Sequence, residues 1–448
     1  MASNILIGMA LVLGVLILVH EWGHFIVARM CGVRVDVFSI GFGPRLFGIK
    51  RGATDYRVSA FPLGGYVRMA GQDPSEIDSA ADAAMPTGAS DELMSKTRWQ
   101  RALISVAGPA VNLIFPIILL TAFFALVGIP YSAYLDKPVV VTAAPANNPP
   151  TPDALQPGDV VLSIDGAKTP TWEDAWVALS RSKTNEKLRL DVENQGKVRG
   201  VEMMPRHTVG ADSPIGYVPL APIVDYVESG KPAKKADIRQ GDTIVSVDGK
   251  RIEVWGQFLE RIRASQGKTM ELEILRDGQV FRKTVTPVLG RNEAGDPTYQ
   301  IGASPDDVVA YKHVSVSVGF LASSRQTIGI AETVLGVVGK LFSGKVSVRN
   351  LHSVVEISRA AGNAVQHGPV WVVLLMAGMS INLGILNLLP IPILDGGNIL
   401  LLTLEGIRRK DFSMQFKERF VQVGLVFLLV LFVYVMYNDV VGLIPTHS

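Results

Sequence analysis

Four runs of apolar residues, each about as long as a bilayer is thick, govern what this chain can fold into. They lie at residues 5–27, 103–127, 370–389 and 420–437. A helix needs about 20 predominantly apolar residues to cross the hydrocarbon core. Backbone N–H and C=O groups find no water there, so each run is expected to form a helix that satisfies its own hydrogen bonds. Tyr434 and Tyr437 close the last run, where amphipathic rings favour the headgroup level. A secretory leader would carry basic residues before its apolar run and a small-residue cleavage site after it. The first run has neither and is expected to remain as a span.

The rest of the chain is not lipid-like. Hydrophobic residues make up 48% of it and charged residues 19%, with a mean hydropathy of +0.29. A membrane protein with a sizeable water-exposed part satisfies both figures. The formal net charge of +2 gives no electrostatic reason for nucleic acid as a partner. The single cysteine, Cys31, excludes an internal disulfide framework without fixing the compartment. Ten Lys and Arg fall between residues 29 and 101, and Arg408, Arg409, Lys410, Lys417 and Arg419 fall between the last two spans. Basic loops stay inside, so both segments are expected in the cytoplasm, with the two termini and the long segment after the second span outside.

The expected order is a first span with its motif (1–36), a cytoplasmic β region (37–72), a cytoplasmic linker (73–102) and a second span (103–128). Two repeated domains (137–206 and 220–290) and an outer membrane-associated region (291–367) follow. The chain then returns through a third span (368–400), a cytoplasmic loop (401–419), a fourth span (420–437) and an outer tail (438–448). The β region alternates and is broken by glycines, as in Gly41-Phe42-Gly43. Residues 73–97 are small, polar and acidic, a linker composition. Around 320–366, Ile328, Ala331, Leu335 and Val338 recur at helical spacing, as expected of helices on the outer membrane face.

The repeat keeps a single offset. Gly158-Asp159 and Gly241-Asp242 are 83 residues apart, as are Trp172 and Trp255. One offset across separate landmarks implies two copies of one domain. Each reads as a Gly-Asp turn, a strand, an Asp-Gly hairpin turn and a helix.

The chemistry is concentrated where the first span ends. In His20-Glu21-Trp22-Gly23-His24 the two histidines are four residues apart and share one helix face, so both imidazoles can grip one Zn²⁺, with Glu21 beside it to take a proton from water. Ionisable groups at membrane depth are costly and need a shared purpose. Catalytic zinc takes three protein ligands and keeps one position open. Nothing suitable follows His24 closely. The best third ligand is Asp395, in Asn387-Leu388-Leu389-Pro390-Ile391-Pro392-Ile393-Leu394-Asp395-Gly396-Gly397. Pro390 and Pro392 are expected to break the third helix, and unwound backbone at that depth belongs beside a cavity. His207, His313, His352, His367 and His447 are scattered and read as surface or packing residues.

The pairing of His-Glu-x-x-His in an early span with Asn-x-x-Pro-x-Pro-x-Leu-Asp-Gly in a late one resembles the site-2 protease family. The two copies between them resemble PDZ domains, as in the family's bacterial branch, the regulator of sigma-E proteases. The resemblance covers nearly the whole chain. It implies a multi-pass α-helical membrane protein of four spans with a membrane-associated β-hairpin or sheet and two α+β PDZ-like domains. It further implies zinc on His20, His24 and Asp395, Glu21 as base, and substrate handling by Asn387 and Pro390. Gly64-Gly65-Tyr66-Val67 is similar to the family's β-hairpin, which offers an edge strand to an unwound substrate. Gly108-Pro109-x-x-Asn112 also fits.

The implied substrate is a single-span anti-sigma factor, with remnant signal peptides as a second class, cut in the lipid bilayer of a bacterial inner membrane during an envelope stress response. Asn398 stands where relatives usually have His, and Asn350-Leu351-His352-Ser353 where they often have a Gly-Pro pair. The carboxylate-binding Gly-Leu-Gly-Phe loop of PDZ domains is visible in neither copy. From the residues alone two other classes stay open: a scaffold with a dead site, and a metal transporter with the histidines in a permeation path.

Overall fold

The computed structural model describes residues 2–72, 87–142, 154–182, 186–203, 212–213, 215–228, 230–291, 297–343, 360–362, 364–365 and 368–443. The chain divides into two compact units, one made of residues 1–129 and 313–448 and the other of residues 130–312.

In the first unit, α1 spans Ala2–Met30 and α2 spans Arg98–Leu126. α2 starts five residues before the apolar run does. Thr97 and Gln100 form a capping box there, in which the Thr97 side chain accepts from the Gln100 backbone and the Gln100 side chain answers. That satisfies amide groups that would otherwise be orphaned at the helix start. Among the described residues, three helices are long and apolar enough to cross a membrane: Val12–Met30, Arg98–Leu126 and Pro369–Asn387. They pack through Val12, Leu16 and Met376, and through Leu120, Phe124 and Ala377. Their outer faces stay apolar and exposed, as at Ile114 and Ile118 of α2.

The late part of the chain differs from expectation in one respect. α3 (Pro369–Asn387) stops at the double-proline stretch, and α4 begins at Asp395 and runs to Arg408. Most of the segment expected as a cytoplasmic loop (401–419), residues 401–408 and 414–419, is therefore helix. Its residues Leu401 and Glu405 are buried against the unit, and a helical face that packs was hidden within a polar composition. A last helix, α5 (Met414–Leu443), carries no charged residue from 420 to 437 and continues into the expected outer tail. Val316–Phe342 is also a helix, where periodicity predicted one. His207, His352, His367 and His447, residues 73–86 of the linker, and the Asn350–Ser353 departure lie outside the described residues.

Residues after α1 form a small sheet from two long strands that fold over each other, β1 (Val35–Arg51) and β2 (Thr54–Met69). Phe38 lies opposite both Tyr56 and Val67, and Ser39 opposite both Arg57 and Tyr66. The start of β1 is thus the middle of the sheet, and residues 64–69 form an outer strand. Gly41 and Gly43 have φ of 90° and 84°, conformations that suit glycine where the strand kinks.

The second unit holds the repeat. One copy has β3 (Val160–Ile164), β4 (Ala167–Lys168), β5 (Leu188–Asn194) and β6 (Lys197–Met203) in the order β4-β3-β5-β6, with helix Trp172–Arg181. The other has β7 (Thr243–Val247), β8 (Lys250–Arg251), β9 (Met270–Arg276) and β10 (Gln279–Val285) in the order β8-β7-β9-β10, with helix Trp255–Ala264. Asp165-Gly166 and Asp248-Gly249 all have positive φ, the backbone that a two-residue hairpin of this hand requires. Trp172 and Trp255 are each buried at the centre of their copy's core.

Candidate metal centre

The site is built from two helix faces and one helix break. Gly23 on α1 and Gly108 on α2 let these helices approach closely: a Cβ on Gly23 would stand 2.6 Å from the Ala107 carbonyl oxygen. The approach carries the Ile104 carbonyl to His24, whose Nδ1–H donates to it at 2.8 Å. His24 Nδ1 then holds the proton, and Nε2 is left as a lone-pair donor. Across the bundle, the break after Asn387 turns the chain back on itself. Ile393 takes a φ of 82°, a left-handed conformation that strains a β-branched residue. Leu394 then leads into α4, whose first residue is Asp395. Gly396 and Gly397 fold against the break, where the Leu389 and Ile391 carbonyl oxygens leave no room for a Cβ on either.

These pieces bring three of the expected residues together. His20 Nε2 is 3.3 Å from Asp395 Oδ2, His24 Nε2 is 3.4 Å from Asp395 Oδ1, and the two Nε2 atoms are 3.2 Å apart. Tetrahedral zinc with bonds of about 2.0–2.1 Å spaces its ligand atoms about 3.3 Å apart. Each histidine nitrogen lies at that spacing from its own oxygen of Asp395 and from the other histidine, with one donor atom from each residue all within 4.8 Å of one another, and the donor set of two imidazoles and a carboxylate fits the chemistry of the ion. His20 and His24 are 8% and 9% exposed. Polar groups so deep in an apolar bundle need partners, and a shared cation supplies one.

Glu21 faces the same cavity, whose volume is about 530 Å³. The Val67 backbone approaches its carboxylate, and Gly65 lies against its stem, where a Cβ would be 3.4 Å from Glu21 Cγ. Gly65, Tyr66 and Val67 of the outer strand line this cavity, as does Asn387, whose Nδ2 is 3.4 Å from His20 Nε2. Gly64 and Pro390, also expected to handle substrate, are not among the residues that line this cavity. Gly64 lies under the Phe42 ring, which occupies the space a Cβ would need. Phe42 in turn stacks on Tyr66 at 6.1 Å. Pro390 is exposed within the break. Asn398 lines the cavity one turn beyond Asp395.

Asn112 had no assigned role in the sequence and has one here. It is wholly buried, and its amide lies 3.1 Å from His20 Nδ1. Its Oδ1 has no hydrogen-bond partner among the described residues. A half-turn of the amide presents that oxygen to an Nδ1–H, which fixes His20 with Nε2 free for metal. The signal was a polar amide in the middle of an apolar run.

The sequence of this chain matches the model of peptidase family M50 over residues 8–431. The chain belongs to peptidase family M50. It is 32% identical over 445 residues to the regulator of sigma-E protease RseP of Salmonella typhimurium (strain 14028s), covering 95% of this chain and 96% of that one. It is 32% identical over 446 residues to the RseP protein of Escherichia coli (strain K12), with the same coverage. A Pasteurella multocida (strain Pm70) protein named as a candidate zinc metalloprotease is 31% identical over 448 residues, covering 96% of this chain and 97% of that one. Among solved structures, the PDZ domain of an SdrC-like protein from Listeria innocua is 19% identical with a TM-score of 0.18, covering 20% of this chain and 96% of that one. This M50 protein is a zinc metalloprotease with helices fit to span a membrane.

Proposed function

We propose that this M50 protease cuts single-span membrane proteins within the bilayer, using His20, His24 and Asp395 as zinc ligands and Glu21 as base. The observation that carries the reading is the convergence of donor atoms from α1 and from the start of α4, one from each of His20, His24 and Asp395 and all within 4.8 Å of one another, beside a carboxylate and a strand edge. Bound zinc supplies a Lewis acid and lowers the pKa of its water to about 7. Glu21 takes the water's proton as the oxygen joins the scissile carbonyl carbon, then delivers it to the leaving amine as the C–N bond breaks. A peptide bond inside a membrane helix is already hydrogen-bonded and shielded. The outer strand at Gly65-Tyr66-Val67 holds a locally unwound stretch by strand addition, and Asn387 hydrogen-bonds its backbone.

The substrate class we assign is an anti-sigma factor already shortened outside the membrane, with remnant signal peptides as a second class. The location is a bacterial inner membrane, with α5 as a fourth span and with the termini and the two PDZ-like domains outside. These domains act as a gate against bulky outer domains. The test is co-expression with a single-span anti-sigma-factor-like protein, comparing the native enzyme with Asp395→Ala. Cleavage by the native enzyme alone is expected, and equal processing by both would refute the reading.

A further inference from the structure

The loop that joins α4 to α5 lies beside the start of α2. Arg98 donates to Asp411 Oδ1 from Nε at 3.0 Å and from a terminal nitrogen at 2.6 Å. The next residue of α2, Trp99, is 77% exposed. A tryptophan exposed at the end of an apolar helix belongs at the headgroup level of a bilayer. The ion pair therefore holds the loop at that level.

The loop carries more positive charge than it neutralises. Asp411 is taken by Arg98, and Glu405 is paired with Lys417 Nζ at 3.2 Å. Arg408, Arg409 and Lys410 are exposed and have no carboxylate partner among the described residues. Arg419 of α5 is exposed as well, and so is Glu418. At 3.6 residues per turn, Arg419 falls within about 60° of Phe416 around the helix, and Glu418 on the opposite side.

Below the cations lies an aromatic and apolar stripe. The Arg408 guanidinium sits over the Phe412 ring at 4.4 Å. Phe412 stacks on Phe416 at 4.4 Å, and Phe416 on Phe420 at 6.5 Å. A stacked guanidinium engages through its face, which leaves its in-plane N–H donors open, the fork that phosphate oxygens fit. Val423, Phe427 and Val430 continue the stripe along α5, and all three are exposed. Lys417, Val421 and Leu425, which line the metal cavity, lie on another side of the helix, so the stripe faces away from it. From Phe416 to Val430 the stripe runs about 21 Å at 1.5 Å per residue, more than half of a hydrocarbon core about 30 Å thick.

We propose that Arg408, Arg409 and Lys410, with the stripe that starts at Phe412, bind an anionic phospholipid. The phosphate meets the edge of the Arg408 guanidinium, and an acyl chain lies along α5. A free anion would leave the stripe bare, and a lipid of no net charge would leave the surplus cations unmatched. The site goes beyond the protease reading and is tested without cleavage.

The test is native mass spectrometry of the purified full-length zinc protein, equilibrated in micelles with equal amounts of phosphatidylglycerol and phosphatidylcholine. The protein is expected to retain phosphatidylglycerol at least about fivefold over phosphatidylcholine, the worth of one cation near an anionic surface. In Arg408→Gln/Arg409→Gln/Lys410→Gln, checked for unchanged zinc content, the two lipids are expected to be retained within about twofold of each other. Removing three exposed cations from the β region instead, as Arg45→Gln/Lys50→Gln/Arg51→Gln, is expected to leave the native ratio. Equal retention of both lipids by the native protein overturns the site. So does a ratio that survives the loop variant, or one that the β-region variant lowers as much. Displacement of phosphatidylglycerol by an equal concentration of inorganic phosphate would make the ligand a free anion, and the lipid assignment would fall.

Discussion

Gly108 of α2 lies directly against the imidazole of His24, so close that a Cβ there would collide with Nε2 and stand 2.8 Å from His20 Cε1. The second helix is the back wall of the metal triangle, and only a hydrogen fits between them. Gly108→Ala is expected to displace both imidazoles and to lower zinc content and cleavage by about tenfold or more. Metal analysis of the purified variant checks this, and a fully loaded variant would show that the helices can separate.

Glu21 faces the metal triangle without belonging to it. Glu21→Gln keeps shape and removes the carboxylate proposed as base, so zinc binding is expected to persist while cleavage falls about 10²–10⁴-fold, the range for general-base groups. Measuring both in one preparation separates the roles. Stripping zinc with a chelator should abolish cleavage in the native enzyme, and added zinc should restore it.

Asn112 orients His20 from behind. Asn112→Leu is expected to weaken zinc binding by about 10–100-fold, the usual effect of removing the partner of a ligating histidine. A competition titration against a chelator measures it, and unchanged affinity would remove Asn112 from the site.

The terminal helix braces the helix break. A Cβ on Gly424 would collide with Pro392 Cβ and lie 2.6 Å from the Pro392 carbonyl oxygen. Gly424→Val is expected to push the break, and Asp395 with it, away from the histidines. Zinc affinity should fall while the histidine pair is untouched, and a shift in metal content reads it.

The two repeats keep a buried aspartate by different means. Asp242 receives Arg276 through Nε at 2.6 Å and a second nitrogen at 2.8 Å, and Asp159 receives Arg199 at 2.6 Å. Both aspartates are fully buried. Removing one partner leaves a buried charge unpaired, at about 3–5 kcal/mol. Arg276→Met is therefore expected to loosen the second copy, seen as faster limited proteolysis of the 130–312 unit, with zinc content unchanged.

Much of this was readable from residues alone. Apolar runs of bilayer length could only be helices, because lipid offers backbone groups no other partner. The 83-residue offset predicted two like domains, and the observed strand orders match each other. His20 and His24 had to share a face because helix geometry places i and i+4 together. Local rules of this kind act between neighbours along the chain.

Other features depend on which distant surfaces meet. The helix at 395–408, expected in part as loop, is stabilised by packing at Leu401 and Glu405 that composition does not record. Gly64 and Pro390 carry motif positions yet are not among the residues that line the cavity, whereas Asn112 and Gly108 proved to touch the histidines. The sequence by itself determined the apolar helical runs, the repeat and the donor types. Only the tertiary structure decided the meeting of the α1 histidines with Asp395 of α4, because it exists through contacts between segments hundreds of residues apart, whose geometry is set by close packing and not by any local pattern.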